Sequence, residues 1–316
     1  MRNSRSGTAE SSSTLRDYLE LVRLPNLFTA MADVTMGFLY THGELGPDDR
    51  SILGLLVAAS ASLYAAGVVL NDVFDAAVDA RERPWRPIPS GRVPLRAARR
   101  LGWGLLALGV ALAVGAGLVA GSIRPGMVAG LLAGCVAAYD GLLKRTPLGP
   151  IAMGACRMLN VLLGMSVRPR FWHAEHWLVA TAIGTYIVGV TWFARCEARR
   201  SRRWPLALAT LVILAGMGLL VLLPAVAAAP IIALIEPGWQ WYTFLVILGT
   251  YTAWRCLHAV ADPEPHRVQL AVTYCIHTVV VLDAVACYVV RDVPGFITVF
   301  LFLLATVFVG RWFEST

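Results

Sequence analysis

Charge is what this chain has least of. Of its 316 residues only 15% are Asp, Glu, Lys or Arg, against 57% hydrophobic, and a soluble domain of that composition would lack the polar surface it needs to face water. No CxxC pair occurs either. Cys135, Cys156, Cys196, Cys256, Cys275 and Cys287 all fall in or at the ends of apolar stretches, which excludes a zinc or disulfide framework and leaves small buried side chains. Residues 1–13 are polar and serine-rich, without an apolar run directly after the basic start, so no cleaved signal peptide is expected. Residues 1–16 read as a disordered polar tail and 17–316 as one helical domain. The net charge of +7 would suggest nucleic acid in a soluble protein. Here the cations gather in alternate loops, which is a topology signal, and no nucleic-acid partner is expected.

What the chain does have is apolar runs of roughly 20 residues, the length a bilayer core demands of a helix. Spans are expected at 17–41, 51–79, 96–120, 126–144, 148–166, 176–198, 204–228, 239–261, 267–290 and 294–312. Under that topology 21 Lys and Arg fall on the side of the termini and 5 on the other, with Arg157 inside a span. The bias places both termini in the cytoplasm of an integral membrane protein, expected in a bacterial inner membrane. The fold class is therefore all-α, a polytopic membrane helical bundle.

One stretch, NDVFDAAVDARERPWRPIPSG from Asn71 to Gly91, organises the rest. Asp72, Asp75 and Asp79 are separated by three and four residues, so a helix puts them on one side with Asn71 beside them. Grouped oxygen donors at a membrane helix end suit Mg²⁺, which is usually shared between one or two carboxylates and the phosphates of a substrate. Arg83 and Arg86 follow, planar multi-donor cations suited to phosphate oxygens, and Pro84, Pro87 and Pro89 force them into a shaped loop. An ordinary positive loop would need these arginines but not the carboxylate register.

NDxxDxxxD followed by RPxRPIPSG resembles the first aspartate-rich motif of the UbiA superfamily of intramembrane prenyltransferases. The resemblance implies a UbiA-like ring of nine transmembrane helices, to which the last apolar run adds an extra C-terminal helix. It also implies Mg²⁺ held by Asn71, Asp72, Asp75 and Asp79, and a polyprenyl diphosphate whose prenyl group passes to a small-molecule or lipid acceptor. The RLPN entry is similar to the family's first helix, placing Asn26 near the cavity. Tyr139, Asp140 and Lys144 in AAYDGLLKRTPLGP resemble the family's Tyr-x-x-x-Leu-Lys pattern, where the lysine meets phosphate and the tyrosine borders the prenyl chamber. In the next span Arg157 and Asn160 share a face. A guanidinium there needs Asp33, Asp283 or a bound anion as counter-charge.

The chain departs from the family in TWFARCEARRSRRW, where relatives carry a second aspartate-rich motif. Here only Glu197 stands among arginines beginning with Arg195, so Arg195 and Glu197 are candidate substrate contacts in place of a second metal set. This departure, with YDGLLKRTPLGPIAMGACRMLNVLLGMS, resembles the EboC-like branch of the superfamily. Two functions follow. The first is Mg²⁺-dependent prenyl transfer, with Asp72, Asp75, Tyr139 and Lys144 catalytic. The alternative is a non-catalytic lipid- or metabolite-handling membrane protein that keeps the diphosphate site. A secondary transporter would show paired broken helices at the midplane, and no such pair stands out. His173, Glu175 and His176 in RPRFWHAEHW read as part of an interfacial aromatic belt in preference to a metal site.

Overall fold

The computed structural model describes residues 15–42, 45–168, 173–195, 202–227 and 239–312, and all regular structure within them is helical. The expected opening span is broken. Residues 15–21 form a short helix that includes Leu15 and Arg16, which the composition assigned to the tail. Arg23 then takes a left-handed conformation, φ 49°, before α1 (Leu24–Thr41) begins with Pro25 in its first turn. Next come α2 (Asp49–Glu82), α3 (Leu95–Ala120) and α4 (Arg124–Ala138), which runs into a π-helical turn over Tyr139–Leu143. The remainder is α5 (Gly149–Met165), α6 (Ala174–Ala194), α7 (Arg203–Leu219), α8 (Trp239–Ala261) and α9 (Pro265–Gly310).

The expectation of nine membrane helices plus one is corrected. Among the described residues seven helices are long and apolar enough to cross a membrane. α1 carries Pro25, Asn26, Asp33 and three threonines and is too polar; α5, at 17 residues, is too short, whereas α4 runs on to Leu143 and α7 to Val226. The last two expected spans form one 46-residue element, bent at Asp292, φ 54° and ψ −156°, with Pro294 just beyond. Proline withholds the N–H that would continue the ladder, and the second half folds back along the first, because Gln269 and Thr273 line the same cavity as Thr306 and Arg311.

α1 lies at the centre, buried continuously from Ala32 to Tyr40. It packs on α5 and α9, while α2 pairs with α3 and α6 with α7. Backbones touch where α1 crosses α5: a Cβ on Gly37 would collide with the Val161 carbonyl, and one on Gly164 with the Val34 carbonyl. Small residues serve this purpose in membrane bundles, where lipid gives helices no hydrophobic reason to associate. Leu118, Ile123, Leu131, Ile247, Leu304 and Phe308 point outward and exposed, as a lipid-facing surface requires.

The loop after α2 is shaped as its prolines demand. Val93 donates its N–H to the Pro87 carbonyl at 2.9 Å, Ser90 Oγ to the Arg86 carbonyl at 2.7 Å, and Gly91 supplies φ 78°. Ile88 and Val93 pack with Leu21, Val69, Val73 and Ala98. Arg92 clamps the short first helix through Asp17 and Glu20 and donates to the Trp85 carbonyl at 2.9 Å. The hydrogen bond to Glu20 raises that guanidinium above its ordinary value, so it stays charged.

Candidate functional site

One face of α2 builds the wall of a cavity. Ser60, Tyr64, Gly67, Asn71 and Asp75, spaced by four, three, four and four residues, all line a chamber of about 610 Å³. Its flanks are apolar, with Leu63, Val68, Leu132, Val136, Met153 and Val272. The mouth is cationic: Arg23, Arg83, Arg86, Lys144, Arg145 and Arg195 all border it.

The π-helical turn shapes that mouth. The Lys144 N–H bonds the Tyr139 carbonyl five residues back at 2.8 Å, and the extra residue in the turn sets Tyr139, Asp140 and Lys144 together on the cavity; such bulges recur at functional sites. Lys144 Nζ meets Asp75 Oδ2 at 2.8 Å and the Asn71 carbonyl at 3.3 Å. Arg145 reaches the other Asp75 oxygen at 3.0 Å. Asn71 Nδ2 donates to Asp140 Oδ1 at 3.0 Å, and the Arg195 guanidinium donates to the Lys144 carbonyl at 2.5 Å.

The three aspartates of the first motif divide. Asp75 faces the cavity, whereas Asp72 and Asp79 are buried behind it around Arg86, at 3.4 and 2.8 Å. Asp72 is also bonded by Arg23 at 3.0 Å. Among the described residues no three acidic, His or Cys side chains converge as a metal group. An oxygen set nevertheless exists at the mouth. Asp140 Oδ2 is buried without a hydrogen-bond partner, Asn71 bonds the other Asp140 oxygen from α2, and Asp75 borders the same cavity. Two carboxylates and an amide oxygen fit a hard divalent cation that completes its shell with water and phosphate.

Deeper in, Arg157 finds the counter-charge expected of it. It bonds Asp33 Oδ2 and Thr29 Oγ1, each at 2.6 Å, and lies over the Tyr64 ring, 5.5 Å from its centre. Asn160 Nδ2 donates to the Ala30 carbonyl at 2.8 Å and to Asp33 Oδ2 at 3.1 Å, while its oxygen accepts from Ser60 Oγ at 2.7 Å. Arg157, Asn160 and Asn26 all border the cavity. Arg157 thus serves as an ion pair while still facing the chamber. Glu197 lies outside the described residues. At the opposite end of the bundle, His173 meets Glu175 at 3.2 Å, and the His176 ring stands edge-on to Tyr40 at 5.9 Å. Glu175 and His176 are buried there, so they do not belong to an exposed aromatic belt.

Sequence reading missed Arg23, Ser60, Tyr64, Arg145 and Thr191, all of which line the chamber. Counting back from Asn71 in helical steps would have found Tyr64 and Ser60. Arg23 opens the RLPN entry, but its place at the mouth depends on the left-handed turn of its backbone.

Residues 30–276 match the UbiA prenyltransferase family. The chain belongs to this family. Over 101 residues it is 44% identical to a digeranylgeranylglyceryl phosphate synthase of Ignicoccus hospitalis, a match covering 32% of this chain and 31% of that one. The same enzyme from Methanopyrus kandleri is 37% identical over 163 residues, covering 50% and 57%. The chain thus aligns with about a third to a little over half of the length of these curated relatives, which are archaeal. A solved structure of digeranylgeranylglyceryl phosphate synthase in membranes superposes with a TM-score of 0.59 at 18% identity, covering 93% of this chain and 99% of that one. A UbiA homologue from Archaeoglobus fulgidus, solved with GPP and Mg²⁺, gives 0.58 at 13% identity, covering 83% and 99%. At such identities the likeness establishes the shared UbiA fold, an integral membrane helical bundle.

Proposed function

We propose that this UbiA-family protein transfers a prenyl group from a polyprenyl diphosphate to an acceptor, with Mg²⁺, at the rim formed by Asn71, Asp75, Asp140 and Lys144. The observation that carries the reading is the pairing of this charged rim with an apolar-walled chamber of about 610 Å³ beneath it. The diphosphate lies against Arg83, Arg86, Lys144 and Arg195, and the prenyl chain extends among Leu63, Leu132, Val136 and Met153. Asn71, Asp75 and Asp140 would hold Mg²⁺; Asp72 and Asp79, whose spacing also suggested metal ligation, hold Arg86 in place. The bound metal neutralises charge on the diphosphate.

The allylic C–O bond breaks with its electron pair leaving on the diphosphate, whose growing charge meets the fixed cations of the mouth. The face of Tyr139 favours the allylic cation by about 1 kcal/mol or more once water is excluded. The acceptor's electron pair closes the new bond to carbon, and its displaced proton passes to the departing diphosphate. The mouth faces the cytoplasm, following the positive residues. Placement in the EboC-like branch continues to rest on the YDGLLKRTPLGP stretch and the missing second aspartate motif. The relatives' digeranylgeranylglyceryl phosphate activity makes a glycerol-based acceptor one candidate to try first.

The test is Asp75→Asn, which keeps the shape and removes the charge. Mg²⁺-dependent release of diphosphate from geranylgeranyl diphosphate should fall to background while the protein elutes as a folded species in detergent; unchanged release would sink the assignment. Glu197 standing alone among arginines favours the non-catalytic alternative. Native mass spectrometry after long incubation with Mg²⁺ and acceptors separates the two, since stoichiometric intact diphosphate means binding alone.

A further inference from the structure

A second cavity of about 410 Å³ adjoins the first at the same end of the bundle, sharing Arg23, Asn26, Val272 and Ile276 with it. Its outer wall is Thr306, Val307, Gly310 and Arg311, from the half of α9 that folds back at Asp292. The donors are two guanidinium groups, the amides of Asn26 and Gln269, and the ring of His277, while the hydroxyls of Thr273 and Thr306 donate to the Gln269 and Phe302 carbonyls of their own helix. Among the described residues no carboxylate lines it. Its apolar side, Val272, Ile276 and Val307, leads inward to the partition with the prenyl chamber.

We propose that this second chamber binds an amphiphile by an anionic, phosphate-type head, with its nucleophilic end passing Asn26 and Ile276 into the main cavity, and that it is the acceptor's seat. The proposal rests on the prenyl-transfer reading for the word acceptor, but not for the binding. A surplus of positive donors without a carboxylate selects an anion, and the adjoining apolar wall selects one that carries a hydrocarbon. Arg23 belongs to both chambers. Its left-handed φ of 49°, a conformation that strains a non-glycine residue, sets the guanidinium where it borders both cavities and bonds Asp72 at 3.0 Å. Anion binding in one chamber is thereby linked to the carboxylate frame of the other. Arg311 makes no ion pair among the described residues, leaving it to the ligand.

The experiment uses the full chain in neutral-lipid nanodiscs without Mg²⁺ or prenyl diphosphate. The probe is oleoyl lysophosphatidate, a single-chain phosphate monoester, with monoolein and inorganic phosphate as comparators. Lysophosphatidate should bind saturably. Arg311→Gln should weaken it roughly tenfold or more, as expected for one charged hydrogen bond, and Arg311→Lys should recover most of that loss. A diazirine-bearing lysophosphatidate should label residues 269–277 or 306–311. Asp75→Asn should bind like the wild type, so failed turnover in that variant speaks only to the prenyl reading. Equal binding of monoolein, or indifference to Arg311→Gln, overturns the proposal. Inorganic phosphate binding as tightly as the lipid overturns the amphiphile and leaves a plain anion site.

Discussion

Arg86 offers the sharpest test of how this site is held. Its guanidinium is 7% exposed and faces Asp79 at 2.8 Å and Asp72 at 3.4 Å, themselves 6% and 8% exposed. Arg86→Met removes the charge and keeps most of the volume. Asp72 retains Arg23, but Asp79 loses its charged partner in a buried place, a situation that costs about 3–5 kcal/mol. Asp79→Asn alone leaves Arg86 with Asp72 and should cost about 1.5–3 kcal/mol, the worth of one charged hydrogen bond. The double variant no longer strands a carboxylate, so its cost should fall short of the sum of the singles by about 1–3 kcal/mol. Reversible unfolding by dodecyl sulfate in mixed micelles, followed by circular dichroism, measures all four species. Additivity within about 0.5 kcal/mol would refute the claim that Arg86 is what makes Asp79 tolerable. The same Asp79→Asn protein should keep its Mg²⁺ affinity in the presence of prenyl diphosphate, because Asp79 frames Arg86 and does not line the cavity. A tenfold loss of that affinity would return Asp79 to the metal.

Lys144→Met should raise the concentration of prenyl diphosphate needed for half-maximal turnover by roughly tenfold to a hundredfold, measured by diphosphate release; an unchanged value would remove Lys144 from the phosphate. Gly164→Ala forces apart two backbones in contact and should destabilise by about 1–3 kcal/mol. Gly54→Ala, whose Cβ would meet nothing within 4 Å, should be neutral or stabilise by about 0.5–1 kcal/mol. Equal melting temperatures for these two would contradict the close crossing of α1 and α5. His42, just past the end of α1, has its imidazole pushed below the ordinary value of 6.5 mainly by burial, with Arg168 and Arg291 adding to the effect and Asp49 and the Phe38 carbonyl opposing it. A folded value below the unfolded one means that the stability is present above about 6.5 and is lost as pH falls through the folded value. Melting at pH 7.5 and 5.0 should therefore drop further in the wild type than in His42→Asn, and equal drops would count against it.

Membrane residence, helical class and the family were legible in the chain alone, because each is written in local pattern. Apolar run length sets the spans, and an aspartate register followed by a proline-broken arginine loop carries the chemistry of a diphosphate site. Asp75, Lys144, Tyr139, Arg83, Arg86, Arg157 and Asn160, which helical spacing and resemblance single out, line the cavity. Spacing could not say which carboxylate turns inward. Asp72, Asp75 and Asp79 share one broad side of a helix, yet α2 meets different neighbours along that side. Arg86 returns from the loop to take two of them, and the π-helical turn delivers Lys144 to the third. Nor could it count the crossing helices, since α1 gives up apolarity to polar residues such as Asn26 and Asp33, and the last two runs join through a single reversed residue at Asp292. The second chamber is wholly a product of that reversal, for Arg23 and Arg311 stand at opposite ends of the chain and only the folded-back helix brings them to one wall.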